Sequence, residues 1–313
     1  MARRVVVKAP ASIANLGPGF DILAIAIEGL YDIVEVHVAP GSSRVFIESY
    51  GFDVPSGEGN VAYHVPKRFV EKLSVDDYDL HLVVRKGIPP ARGLGSSGAT
   101  SAATAYALSV ALSAKLDERD LLELAGAGEA YVAGTRHYDN VAASLFGGFV
   151  ILDLARGRVL RYLPKTRIPV AIVVPDLTLP RKTGYARSLL PKQVSLELHV
   201  RQSSSLAKLL YGILTEDPRV LGEAISTDYI VEPSRARMIP FYNDVKELAL
   251  REGTYGFNIC GAGPSVFLLH EDPAEALRIA EKVRVYLSER GVRATAFVSH
   301  VSPRGVELLE VVR

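Results

Sequence analysis

The chain has 313 residues, 48% apolar and 23% charged, with a formal net charge of +1, enough material for one large domain or two ordinary ones. A charge so near zero gives no field for nucleic acid or an anionic membrane, so an anion would need a local cluster of groups to bind it. The single cysteine, Cys260, excludes an intrachain disulfide and fits a reducing, cytoplasmic setting, while no apolar run approaches the roughly 20 residues of a membrane span and MARRVVVKAP has no adequate apolar stretch for a signal peptide.

Taken in chain order, β-branched residues at 4–8, period-two alternation at 31–38 and a short run at 45–48 predict strands. Helical spacing covers 60–73, and a strand follows at 79–85. A long loop, 86–95, leads into a helix over 96–114 that is rich in Ala and Ser and poor in large side chains. Further helices are expected at 117–133 and 137–145, the last ended by Gly147-Gly148, with a strand at 149–154. Beyond residue 164 the pattern predicts a strand at 170–174, helices at 183–190, 195–214 and 243–252, and apolar runs at 255–260 and 265–269. A helix at 273–290 and a strand at 294–299 complete it. Strands and helices in this non-alternating order predict an α+β fold, with a boundary near residue 160 dividing 1–160 from 161–313.

The most informative segment is Pro89-Pro90-Ala91-Arg92-Gly93-Leu94-Gly95-Ser96-Ser97-Gly98. Glycines let the backbone turn tightly against a ligand. The helix behind them starts with unpaired N–H groups and the positive end of its dipole, which suits phosphate. Ser96 and Ser97 add hydroxyls for phosphate or a metal ion. A loop ending in an ordinary serine cap accounts for the same residues. No Gly-Lys-Ser/Thr follows, so this is not a Walker A loop.

In full, the segment resembles the phosphate loop of the GHMP kinases, Pro-x3-Gly-Leu-Gly-Ser-Ser, with Gly98 where alanine is usual. Two more motifs of that family stand in the expected order: Pro10-Ala11-Ser12-Ile13-Ala14-Asn15-Leu16-Gly17-Pro18-Gly19-Phe20-Asp21, and Gly261-Ala262-Gly263-Pro264-Ser265. The form of the first motif resembles that of the homoserine kinases. So do His137-Tyr138-Asp139-Asn140-Val141-Ala142, the stretch from Thr183 to Arg187, and Glu232-Pro233-Ser234-Arg235. The resemblance implies an N-terminal domain of ribosomal protein S5 domain 2-like type and a C-terminal ferredoxin-like domain, with ATP in the cleft between them.

It also implies roles. Pro90, Ala91, Arg92, Gly93, Leu94, Gly95, Ser96 and Ser97 would wrap the ATP phosphates, with Asn60 and Lys86 lining the adenine side. Ser97, with Ser96 as its alternative, and Glu129 would ligate Mg²⁺. Arg187 and Arg235 would clamp the carboxylate of L-homoserine, and Asp21 and Asp139 would take its ammonium. Asn15 and His137 would orient its hydroxyl, and Thr183 would assist near the transferred phosphate. Asn140 replaces the aspartate that several relatives carry, which implies transfer by positioning, without a carboxylate base. The alternatives are another GHMP kinase, acting on mevalonate or shikimate, or a catalytically silent regulator. Homodimers are common among relatives. Neither a nucleic acid nor a membrane is expected as partner.

Overall fold

The computed structural model describes residues 3–73, 77–133, 138–177, 179 and 186–313. Its first sheet is built on two long strands, β1 (Arg4–Ala14) and β2 (Leu23–Pro40), paired antiparallel from Arg4↔His37 to Ala14↔Ala24. The register slips between Pro10 and Ala11, whose partners are Tyr31 and Ile27; the extra residues of β2 bulge where Pro10 has no N–H to offer the ladder. β3 (Val45–Tyr50) lies parallel to β4 (Tyr78–Arg85), which pairs with β2. β5 (Phe149–Asp153) branches from the start of β2 and carries β6 (Arg158–Tyr162).

Four helices pack with this sheet: α1 (Val61–Leu73), α2 (Ser96–Ala111), α3 (Glu118–Ala133) and α4 (Tyr138–Phe146). α2 is buried on all sides, as a helix without a polar stripe must be, and its small side chains let its neighbours approach. Gly98 is part of that closeness. A Cβ there would stand 3.1 Å from the Asn140 Cβ and 3.3 Å from the Val141 nitrogen. The residue therefore trades helix propensity for the contact that seats α4.

The second sheet contains β7 (Pro169–Pro175), β8 (Gly256–Ile259), β9 (Val266–Leu269) and β10 (Ala294–His300), all antiparallel, in the order β10-β7-β9-β8. Counted along the chain, that order is fourth, first, third, second. Helices lie between the first and second strands and between the third and fourth, which is the βαββαβ ferredoxin-like arrangement. The helices are α5 (Leu196–Thr215), α6 (Pro218–Ile225), α7 (Val231–Ala236), α8 (Tyr242–Arg251) and α9 (Pro273–Ser288). Their starts follow capping chemistry. The Ser195 hydroxyl accepts from the Leu198 N–H at 3.2 Å. Asp217 and Asp272 cap helices that open with proline.

Period two sorts the second sheet's side chains. Val170, Ile172, Phe267 and Leu269 join the core shared with the first sheet and with Leu209 and Ile213 of α5. Ala171, Val173, Val266 and Leu268 pack on the other side with Val245 of α8 and Ile279 and Val283 of α9. A bridge between Ile27 and Val301 joins the two sheets. The chain then returns as β11 (Glu307–Val312), antiparallel to β1 at the edge of the first sheet.

The α+β class and the ferredoxin-like order agree with the sequence. β6, α6, α7 and β11 were not expected from it. Of the helix expected at 183–190, residues 183–185 lie outside the described residues and 186–188 are helical.

Candidate active site

A cavity of about 670 Å³ opens where the three motifs meet. The glycine-rich loop forms one wall. Gly95 precedes α2 with φ +66°, and a Cβ there would fall 2.0 Å from the Ser12 hydroxyl. Gly93, at φ +79°, lies so close to the third motif that a Cβ would meet the Cys260 carbonyl at 2.1 Å. Only glycine fits both the dihedral and the space. The loop is also tied by backbone bonds: Ser12 N–H donates to the Leu94 carbonyl at 3.1 Å, and Ser265 N–H to that of Arg92 at 3.3 Å. Pro90, Ala91, Leu94, Ser96 and Ser97 line the cavity with the two glycines. The Arg92 guanidinium instead reaches Asp176, at 3.0 Å.

Beneath the loop is a buried polar cluster that sequence reasoning missed. Asp32 of β2 is fully buried. One carboxylate oxygen accepts the N–H groups of Gly87 and Ile88, each at 3.0 Å. The other accepts the Thr100 hydroxyl at 2.8 Å and the Lys86 ammonium. Lys86 also donates to the Ser96 carbonyl at 3.1 Å. Burial pulls its amine below the usual lysine range, opposed by the Asp32 charge. Lys86 does line the cavity, but its charge is spent on holding the loop. A signal for Asp32 existed in the sequence: it shares the buried phase of β2 with Val34, Val36 and Val38.

Asn60 also touches the cavity, with its own polar atoms engaged in local structure. Its amide donates to the Ser49 hydroxyl and the Pro55 carbonyl, both at 2.9 Å, and its oxygen accepts the Ala62 N–H at 3.0 Å. Glu129 is 6% exposed and lines the same cavity as Ser97. A carboxylate and a hydroxyl beside a phosphate-sized loop are the hard oxygen donors that Mg²⁺ takes. The Ser96 hydroxyl hydrogen goes to the Ile88 carbonyl, at 3.1 Å, which leaves Ser97 as the better-placed of the pair.

The opposite end of the cavity is charged. Arg187 grips Asp21 through two nitrogens, at 2.5 and 3.5 Å. Arg235, 6% exposed, donates to the Gly261 carbonyl at 2.6 Å. Burial pulls its guanidinium below the ordinary arginine value, opposed by the charges of Asp21, Asp139 and Asp228. The Asn15 amide donates to the same Gly261 carbonyl at 3.3 Å, and its oxygen accepts the Asp21 N–H at 3.1 Å. Asp139 is 3% exposed. Asn140 accepts the Ser12 hydroxyl at 2.9 Å, which puts it beside Gly95. The structure thus brings Asn15, Asp21, Asp139, Asn140, Arg187 and Arg235 to one place. His137 and Thr183 lie outside the described residues.

Replacing Asp32 by asparagine leaves the Lys86 ammonium buried without its counter-charge. We expect a loss of about 3–5 kcal/mol in unfolding free energy, read from denaturant midpoints. Adding Lys86→Met should recover part of it. A single variant as stable as the parent would show that the pair does not anchor the loop.

Comparison with known proteins agrees with this geometry. The family model for the GHMP kinases N terminal domain matches residues 60–148, and that for GHMP kinases C terminal matches 209–288. The homoserine kinase of Aeropyrum pernix is 38% identical over 282 residues, 88% of this chain and 90% of that protein. The homoserine kinase of Thermoplasma volcanium is 35% identical over 279 residues, 88% of each chain. The crystal structure of homoserine kinase from Cytophaga hutchinsonii superposes with a TM-score of 0.90 at 32% identity, covering 99% of this chain and 98% of that one. The chain belongs to the GHMP kinase family, and within it to the group of the homoserine kinases.

Proposed function

We propose that this protein transfers the γ-phosphoryl group of ATP to the hydroxyl of L-homoserine, giving O-phospho-L-homoserine on the route to threonine. The observation that carries this reading is the pairing of opposites in one cavity. A glycine-lined helix N-terminus lines it together with Asp21, Asp139 and Arg235, and Arg187 is bound to Asp21. A zwitterionic alcohol presents a carboxylate and an ammonium, so each of its charges meets the opposite sign. Arg187 and Arg235 would bind the carboxylate through their N–H forks, and Asp21 and Asp139 the ammonium. Mevalonate and shikimate have no ammonium, and would leave those carboxylates facing a neutral group.

In the proposed reaction the homoserine hydroxyl oxygen forms the new bond to the γ-phosphorus as the bond to the β–γ bridging oxygen breaks, and ADP departs. The loop from Pro90 to Ser97 holds the phosphates through backbone N–H groups and the α2 dipole, with Asn60 and Lys86 bordering the nucleotide. Ser97 and Glu129 would hold Mg²⁺, which when bound neutralises charge on the β- and γ-phosphates. Asn15 would orient the hydroxyl, and the family resemblance assigns His137 to the same task and Thr183 to assist at the transferred phosphate. Asn140 cannot hold a proton as an aspartate would. The hydroxyl proton therefore passes to a γ-phosphate oxygen, and the rate enhancement rests on alignment and charge.

We also propose a homodimer. Among the described residues no helix is long and apolar enough to cross a membrane, yet α5 exposes Leu196 (77%), Val200 (58%), Tyr211 (61%) and Leu214 (65%). At helical spacing these share one face with the exposed Ser203 and Ala207. The pairs 196 and 214, and 203 and 207, stand symmetrically about residue 205, with 200 and 211 half a residue off that centre. A two-fold antiparallel pairing of α5 with its copy would therefore match bulky against bulky and small against small, as an isologous contact requires. Division at residue 160 into two domains, a cytoplasmic setting and the absence of a nucleic-acid partner complete the proposal.

Coupled ADP release with Mg-ATP should give a kcat/KM for L-homoserine at least about a hundredfold above those for mevalonate and shikimate. Preference for either of those would reject the substrate assignment. Analytical ultracentrifugation should find a dimer that Tyr211→Glu converts to monomers. A monomeric parent would reject the α5 pairing.

A further inference from the structure

Phe20 stands between Gly19 and Asp21 in the first motif, on the turn that follows Asn15. Its half-buried ring meets both arginines of the charged end. The Arg187 guanidinium carbon lies 5.4 Å from the ring centroid, and that of Arg235 lies 5.0 Å from it. Two cations drawn to one small region repel each other, and the Arg187 charge is among the influences that lower Arg235. The Asp21 carboxylate relieves part of that repulsion, and takes two Arg187 nitrogens in doing so. An aromatic face does otherwise. It attracts a guanidinium through its quadrupole and takes none of the fork's five hydrogens.

Resting on the homoserine reading above, we propose that Phe20 is the positioning residue of the carboxylate clamp. Its ring touches both guanidiniums and sets where they stand toward an α-carboxylate, while itself taking none of their N–H groups. The rest of the local bonding fits this division of labour. Asp21 holds Arg187 from one side. The Gly261 carbonyl takes one Arg235 nitrogen, and the buried Arg235 Nε has no hydrogen-bond partner among the described residues. The ring therefore supplies apolar support for that guanidinium on a side where the described residues give Nε no acceptor.

The test is Phe20→Leu, which keeps the apolar bulk and removes the π face, with Phe20→Tyr as the conservative control. The two substrates are L-homoserine and 3-aminopropan-1-ol, which is homoserine without its carboxylate. In Phe20→Leu the KM for L-homoserine should rise about five- to thirtyfold, the range of a partly desolvated cation–π contact. The kcat and the KM for ATP should stay within about twofold, kcat/KM for 3-aminopropan-1-ol should be unchanged, and Phe20→Tyr should behave as the parent. An unchanged KM for L-homoserine overturns the proposal. So does an equal loss on both alcohols, which would mark Phe20 as a packing residue only. Failure of the parent enzyme to phosphorylate L-homoserine would instead reject the substrate reading itself, so the two failures are distinguishable.

Discussion

The site depends on a buried carboxylate. Asp32 collects two backbone N–H groups, a hydroxyl and an ammonium from the residues on either side of the glycine-rich loop. A charge so buried is tolerable only when it is fully paired and hydrogen-bonded. The loop must follow a fixed path for that to hold, because Gly87 and Ile88 enter it and Thr100 sits one turn inside the helix that leaves it. The cluster thus anchors both ends of a segment whose middle has to be glycine. It also explains why a lysine beside a phosphate-shaped loop is not itself directed at a ligand.

On that anchored loop the other motifs converge. The third motif comes so near that Gly93 has no room for a side chain. Its Gly261 carbonyl is the shared acceptor of Asn15 and Arg235, so one oxygen links the first motif, the last motif and the C-terminal arginine. The glycine-rich loop and the charged cluster are in this way built on one frame. A displacement of the loop would move both ends of the cavity together.

Much of this was legible in the sequence, for reasons that can be named. Long periodic segments such as α1, α3, α5 and α9 announce themselves, whereas the short α6 was missed although an acidic cap and proline open it. The loop is legible because its glycines have no use except a tight turn. β11 was not, because it is an edge strand whose side chains are mostly exposed and whose partner β1 lies at the far end of the chain. Asp32 was missed although it stands in phase with Val34, Val36 and Val38 of β2, because a carboxylate is ordinarily taken as solvent-facing. Asn60 and Lys86 do line the cavity, while what their polar atoms hold is visible only in three dimensions. Gly98, in sequence a weak helix residue, is explained by Asn140 across the helix interface.

The most direct measurement is a crystal structure with Mg²⁺, a non-hydrolysable ATP analogue and L-homoserine. We predict the terminal phosphate on the N–H groups of the Gly93–Ser97 segment, and the amino-acid carboxylate between Arg187 and Arg235 with its hydroxyl facing that phosphate. A triphosphate seated away from this loop, or an amino acid bound with its carboxylate remote from both guanidiniums, would contradict it.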